Sequence, residues 1–257
     1  MASAPDFSLK GKLALITGST QGLGLAIAGA YAASGAGVIV NGRRAHRVDT
    51  TVAGLRTQGH VAHPFVYDIG NVVGQEQAYQ ALCQQVGTPD IVVHNVGIRI
   101  RKSLAEATLE DILELINIDL IAALHLSKLA AAAMLTAKRP GRFITVTSIA
   151  GELARPGDAI YPIAKQGLAG MVRALAVEYG GQGITSNGIA PGTFATETNA
   201  ELASDPIKGP IVVGRNPMAR WANPDEITGA AVFLASPSAS YVNGHILVVD
   251  GGFSVTF

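Results

Sequence analysis

The sequence predicts an α/β fold: a doubly wound parallel sheet of seven strands with helices on both faces. Three observations predict it. Short apolar, β-branched runs recur at intervals long enough for a helical crossover. A glycine-rich stretch follows the first such run and opens a helix. No linker, repeat or low-complexity segment interrupts the alternation over 257 residues, a length that suits one α/β domain spanning 1–257.

Composition narrows the function. Lysine plus arginine and aspartate plus glutamate are equal at 19 each, which argues against nucleic acid or an anionic membrane as partner. A lone Cys83 excludes an intrachain disulfide framework. Met1 to Lys10 has no signal-peptide apolar core. No run of about 18 purely apolar residues occurs, so no membrane-spanning helix is expected. A soluble cytoplasmic protein acting on a small molecule is the expectation.

Leu13 to Ile16 reads as the first strand. It runs into Thr17-Gly18-Ser19-Thr20-Gln21-Gly22-Leu23-Gly24 and a helix with apolar Ala26, Ile27, Ala30 and Tyr31. At a first strand-to-helix turn, such glycines let the backbone approach a pyrophosphate, and the helix start offers free N–H groups. The second strand, Val38 to Val40, ends at Asn41-Gly42-Arg43-Arg44. In dinucleotide folds an acid at this point binds the 2′-hydroxyl of NAD, whereas an arginine suits the 2′-phosphate of NADP. With two arginines and no acid until Asp49, NADP(H) is expected in preference to NAD(H).

Val61 to Tyr67 reads as the third strand, closed by Asp68. His60 and His63 are three apart on a strand and point to opposite faces, so no metal site is expected. A helix follows from Gly74 to Val86. The fourth strand, Ile91 to His94, leads into Asn95-Val96-Gly97 and then Arg99, Arg101 and Lys102. Ligands bind beyond this edge of a parallel sheet, although a solvated loop reads equally well from composition. Thr108 caps a long helix with Asp111 in its first turn. That helix is expected to reach about Ala137, before Lys138 to Gly141 end it. Asp119 sits inside its apolar sweep, and a buried acid needs a reason.

Phe143 to Thr147 reads as a buried strand leading into Ser148, and Ala164 to Tyr179 as a helix. Tyr161 and Lys165 are four apart at its start and share a face. If the intervening loop folds back, Ser148 joins them. That trio suits proton transfer to or from an alcohol. A cation about 4 Å from a phenol, at an effective dielectric of roughly 20, favours the phenolate by ~4 kcal/mol and equips it as a general acid–base. Tyr-x-x-x-Lys alone is common, and a helix start with a snorkelling lysine is the bland reading.

The sixth strand, Ile184 to Ile189, is closed by Ala190-Pro191-Gly192-Thr193-Phe194-Ala195-Thr196. Thr193 to Arg215 lacks periodicity and reads as an irregular substrate lid. Asn223 to Glu226 starts a helix running to Leu234. Ile246 to Val249 is the seventh strand.

Taken together, Thr17-Gly18-x-x-x-Gly22-x-Gly24, Asp68, Asn95-x-Gly97, Ser148, Tyr161-x-x-x-Lys165 and Pro191-Gly192 with Thr196 resemble the short-chain dehydrogenase/reductase family over essentially the whole chain. Glu152-Leu153-Ala154-Arg155, Phe194-Ala195-Thr196-Glu197 and Arg220-Trp221 are similar to its gluconate 5-dehydrogenase branch, which interconverts D-gluconate and 5-keto-D-gluconate. The resemblance implies a Rossmann-type sheet and a homotetramer. It also implies a cofactor-binding part over about 10–147 and a catalytic and substrate part over about 148–257, with the lid at about 193–215. It places the cofactor on Gly18, Thr20, Gln21, Gly22, Leu23, Arg43, Arg44, Asp68, Ile69, Asn95, Val96, Gly97, Tyr161, Lys165, Pro191, Gly192, Thr193, Phe194 and Thr196. Ser148, Tyr161 and Lys165 take the catalytic places. His94-Asn95-Val96-Gly97 departs from the family's Asn-Asn-Ala-Gly. Asp119 stands where the family has a fourth catalytic residue, an asparagine that kinks the helix and offers its backbone carbonyl; Asp119 is expected to act mainly through its main chain.

A sugar acid needs an anchor for its carboxylate. Arg99, Arg101 and Arg155 are the candidates, with Glu152 either receiving hydroxyls or pairing with an arginine. Alternating spacing aims Arg99 and Arg101 the same way if their loop is extended. Reduction of another ketone, such as a 3-oxoacyl thioester or a neutral keto sugar, is the alternative. A non-catalytic NADP-binding sensor is the alternative of a different class.

Overall fold

The computed structural model describes residues 4–256; Met1 to Ser3 and Phe257, at the ends of the expected 1–257 unit, lie outside them. Strand β1 (Leu13–Ile16) leads to helix α1 (Gly22–Ala33), β2 (Gly37–Gly42), α2 (Ala45–Thr57), β3 (Ala62–Val66), α3 (Gln75–Val86) and β4 (Ile91–His94). Next come α4 (Leu109–Ile116), a π-helical turn (Asn117–Ile121), α5 (Ala122–Thr136), β5 (Gly141–Val146), α6 (Ile160–Tyr179) and β6 (Ile184–Pro191). Short helices α7 (Ala200–Ser204) and α8 (Lys208–Val213), then α9 (Thr228–Ala235) and β7 (Ile246–Val249), complete the chain.

The seven strands form one sheet in the order β3-β2-β1-β4-β5-β6-β7, every pair parallel. Side chains alternate across it, as the two-residue period of a strand requires. Ile16, Val38, Val40 and Ile144 face α1, α2 and α9 through Ile27, Tyr31, Val52 and Leu234. Leu15, Ile39, Val92 and Phe143 face α3, α5 and α6 through Tyr79, Leu126, Met134 and Leu168. The order reverses at β1, whose neighbours are β2 and β4, and a crevice opens there at the carboxyl ends of the strands.

Several boundaries differ from the expectation. Helix α6 begins at Ile160, so Tyr161 lies inside its first turn. Helix α2, over a stretch assigned no element from the sequence, holds Val48, Val52 and Leu55 in the core. The expected lid is not wholly irregular, since it contains α7 and α8. The helix read from Asn223 opens with a 3₁₀ turn, Pro224–Ile227. By length and composition, Leu109–Thr136 is apolar enough to cross a membrane, which the search for a purely apolar run missed. Leu115, Ala122, Leu126, Ala130 and Met134 are buried in the protein's own core, which makes it a core helix.

Candidate active site

The first strand-to-helix turn is held by buried polar groups. Gly18 has φ +63°, and a Cβ there would stand 2.9 Å from Val96 Cγ2, so only glycine allows the loop this close to the end of β4. Buried Asn41 accepts from Gly18 N at 3.1 Å and donates to the carbonyls of Phe65 and Tyr67. Thr17 Oγ1 accepts from Asn95 N at 2.9 Å, and Asn95 Nδ2 donates to Thr17 O at 3.0 Å. The loop is thereby tied to β2 and β4 before any ligand arrives.

Above it lies a cavity of ≈ 370 Å³. Gly18, Thr20, Gln21, Gly22, Leu23, Arg43, Arg44, Asp68, Ile69, Asn95, Val96, Gly97 and Thr196, all named as cofactor contacts from the sequence, line it. Tyr161, Lys165, Pro191, Gly192, Thr193 and Phe194, named with them, are not part of this lining. Strand β6 runs on to Pro191, paired with Val249. Gly192 is backed so closely by Asp250 that a Cβ would stand 2.7 Å from its Cβ. Phe194 is buried and borders a separate hollow with Thr193.

Asn41, Arg47 and Glu197 also line the cavity and were not singled out as site residues from the sequence. Asn41 was passed over as a strand end. Arg47 lies three and four residues after Arg44 and Arg43, and it donates to Gln21 Oε1 at 2.5 Å; that spacing on α2 was its only signal. Glu197 Oε2 accepts from Gly22 N at 2.8 Å. An anionic oxygen thus already engages an N–H of the glycine loop. With three arginines bordering the cavity, the donor set fits a phosphorylated dinucleotide.

Tyr161, Lys165 and Asp119 come together beside Gly97. Ser148 lies two residues beyond β5, and the turn Ile149–Gly151 folds back onto α6. A Cβ on Gly151 would stand 3.4 Å from the backbone of Lys165 and Gln166. Lys165 Nζ lies 5.2 Å from the centre of the Tyr161 ring. The π turn widens the long helix at Asn117–Ile121, as such turns do at functional sites. It carries Asp119 inward until Asp119 Oδ2 lies 3.0 Å from Lys165 Nζ and Oδ1 accepts from Ile98 N at 2.6 Å. The carboxylate is therefore engaged, beyond the main-chain role expected. Gly97 leaves room for this pair, because a Cβ there would stand 2.8 Å from Asp119 Oδ2 and 2.9 Å from Lys165 Nζ. Burial works against the Lys165 ammonium, but the charges of Tyr161 and Asp119 outweigh it and raise its pKa.

The arginines divide. Arg99 lies over the Tyr161 ring, its Cζ 4.6 Å from the ring centre. Its Nε donates to Asp158 Oδ2 at 2.9 Å, and its terminal nitrogen bonds the same oxygen. Arg155 Nε lies 3.6 Å from that oxygen. Arg101 does not follow Arg99; it is exposed. Lys102 is taken by Asp111 at 2.7 Å. Glu152 is exposed, and the arginines pair with Asp158 instead. Nothing in the sequence reading pointed to Asp158.

A family model described as Enoyl-(Acyl carrier protein) reductase matches residues 18–254. The chain is 36% identical over 255 residues to the gluconate 5-dehydrogenase of Gluconobacter oxydans (strain 621H), covering 99% of each. It is 34% identical over 247 residues to the 3-oxoacyl-[acyl-carrier-protein] reductase of Synechocystis sp. (strain ATCC 27184 / PCC 6803 / Kazusa), covering 95% of this chain and 98% of that protein. It superimposes on the crystal structure of a gluconate 5-dehydrogenase from Burkholderia cenocepacia J2315 in complex with NADP and tartrate, with a TM-score of 0.93, 34% identity and 98% of each chain covered. The glycine loop, the parallel sheet and these full-length likenesses agree: the chain belongs to the short-chain dehydrogenase/reductase family, oxidoreductases that use a nicotinamide cofactor on alcohol and ketone groups.

Proposed function

We propose that the enzyme interconverts D-gluconate and 5-keto-D-gluconate, with NADP(H) preferred over NAD(H). The observation that carries this reading is the placement of Arg99 over the Tyr161 ring, a cation beside the proposed acid–base where an acidic substrate must be held. The likeness to gluconate 5-dehydrogenases supports the same substrate.

The glycine loop, Asn95 and Gly97 would hold the dinucleotide, which would supply or accept the hydride through its nicotinamide. In reduction Tyr161 gives its phenolic proton to the carbonyl oxygen; in oxidation it takes the proton from the alcohol. Ser148 holds the reacting oxygen by a hydrogen bond. Lys165 keeps its positive charge because Asp119 faces it, and that charge favours the phenolate when the proton leaves. Arg43 and Arg44, with Arg47, would take the 2′-phosphate. The part over 10–147 serves the cofactor and 148–257 the substrate, within one domain.

A homotetramer in the cytoplasm is part of the same reading. Leu109, Leu113, Ile121 and Leu124 expose apolar surface on α4, the π turn and α5, which supports burial between subunits; light scattering tests it. The likeness to a 3-oxoacyl-[acyl-carrier-protein] reductase supports a second reading, an acyl thioester substrate. Absorbance of the reduced cofactor, followed with 5-keto-D-gluconate and with a 3-oxoacyl thioester, separates them. Faster turnover of the thioester would remove the sugar-acid reading.

A further inference from the structure

The geometry points to Asp158 as a positioning residue for anion recognition beside Tyr161; this deepens the sugar-acid reading and rests on it. Asp158 is fully inside, its side chain 1% exposed, while Arg99 is 32% exposed. One carboxylate oxygen, Oδ2, receives Arg99 Nε and its terminal nitrogen and faces Arg155 Nε. The other, Oδ1, is buried without a hydrogen-bond partner among the described residues. A buried ion pair retained for stability alone would be expected to satisfy both oxygens, because an orphaned one carries a desolvation cost. What this arrangement achieves is placement. Two arginines from separate segments, one after β4 and one after Ser148, are drawn to one point, and Arg99 is laid over the Tyr161 ring at 4.6 Å.

Charge and orientation follow together. Two guanidinium groups on one carboxylate leave a single net positive charge, the complement of one carboxylate group on a ligand. Arg99 spends Nε and one terminal nitrogen on Asp158, so its remaining terminal nitrogen is free to meet a carboxylate. Asp158 does not touch that substrate. It fixes the angle of the group that does, and a fixed guanidinium loses less entropy on binding.

The test exploits opposite expectations. Asp158→Asn adds one net positive charge, so charge alone predicts tighter anion binding, whereas positioning predicts weaker binding. Tartrate titrated calorimetrically into the enzyme–NADP⁺ complex serves as the probe, because it requires no turnover. Binding about tenfold weaker in Asp158→Asn is expected; equal or tighter binding overturns the role. The double variant Arg99→Met with Asp158→Leu removes the pair without leaving a buried charge, and guards against misfolding. It should bind tartrate at least tenfold more weakly, with NADP⁺ affinity and melting temperature kept. Wild-type tartrate affinity in the double variant also overturns the inference.

Kinetics then separate the two claims. The substrates are 5-keto-D-gluconate and its uncharged methyl ester. A wild-type enzyme that uses neither, or prefers the ester, removes the sugar-acid reading and leaves the tartrate result to decide on Asp158. If the wild type prefers the acid, Asp158→Asn should reduce kcat/KM for the acid about tenfold more than for the ester. Equal losses would make Asp158 merely structural.

Discussion

Lys165 Nζ lies 3.0 Å from Asp119 Oδ2, and both side chains are withdrawn from solvent. The pair ties the π turn to α6 directly behind Gly97. It accounts for the direction of the Lys165 shift: burial alone disfavours the ammonium, and Tyr161 and Asp119 reverse it. Asp119→Asn should keep a hydrogen-bond acceptor for Ile98 N but remove the charge facing Lys165. The expected result is a fall in kcat on the order of tenfold, about 1.4 kcal/mol, with cofactor affinity little changed. Single-turnover kinetics check this. Wild-type kcat in the variant would return Asp119 to a purely main-chain role.

Tyr161→Phe removes the phenolic proton and keeps the ring over which Arg99 lies. Its kcat should fall by roughly 10²-fold or more, the scale of general acid–base catalysis. NADPH binding, measured by fluorescence, should stay near wild type, because the glycine loop and Asn95 are untouched. Turnover near wild type would overturn the assignment of Tyr161.

His94 makes stability depend on pH. Its ring is buried against Phe143 and meets Ser127 Oγ at 2.8 Å through Nε2. Burial lowers its pKa to about 4. The unfolded chain takes the same proton near ~6.5, so between those values the unfolded state binds more protons. The contribution of His94 is therefore fully present above about pH 6.5 and is lost as pH falls towards 4, by up to about 3 kcal/mol. His94→Asn should flatten this part of the urea-unfolding profile between pH 6.5 and 4.5. An unchanged slope would show that other groups govern the acid limb.

The sheet was legible because apolar runs and their crossovers are local signals, and the glycine loop was legible because its context is local too. Asp158 was not. It lies in a loop with no period, and its meaning depends on Arg99, far away in sequence. Asp119 was half legible: an acid in an apolar helix announces itself, but the π turn that aims it at Lys165 leaves no pattern. Helix α2 was passed over because its charged and polar residues obscure the stripe Val48, Val52 and Leu55. Helices α7 and α8, in the segment read as a lid, span 5 and 6 residues, too short for a periodic signal. Strand β6 runs to Pro191, two residues beyond the end its β-branched run suggests.

Cofactor choice gives the last prediction. Arg43 borders the cavity and faces Asp68 at 3.7 Å, with both side chains more than half exposed. So loose a pair is worth little by itself and leaves the guanidinium free to turn to a phosphate. Arg44 and Arg47 border the same cavity, so no single arginine should carry the whole preference. Arg43→Ala is expected to raise KM for NADPH about tenfold while leaving KM for NADH within about twofold, because only NADPH carries the 2′-phosphate; a charge-assisted hydrogen bond of ~1.5–3 kcal/mol sets that scale. Removing Arg43 and Arg47 together should go further, since Arg47 would otherwise partly replace the lost charge. Steady-state kinetics with both cofactors measure the ratio. If the double variant keeps the wild-type ratio, neither Arg43 nor Arg47 reads the phosphate, and the proposed role of both is overturned.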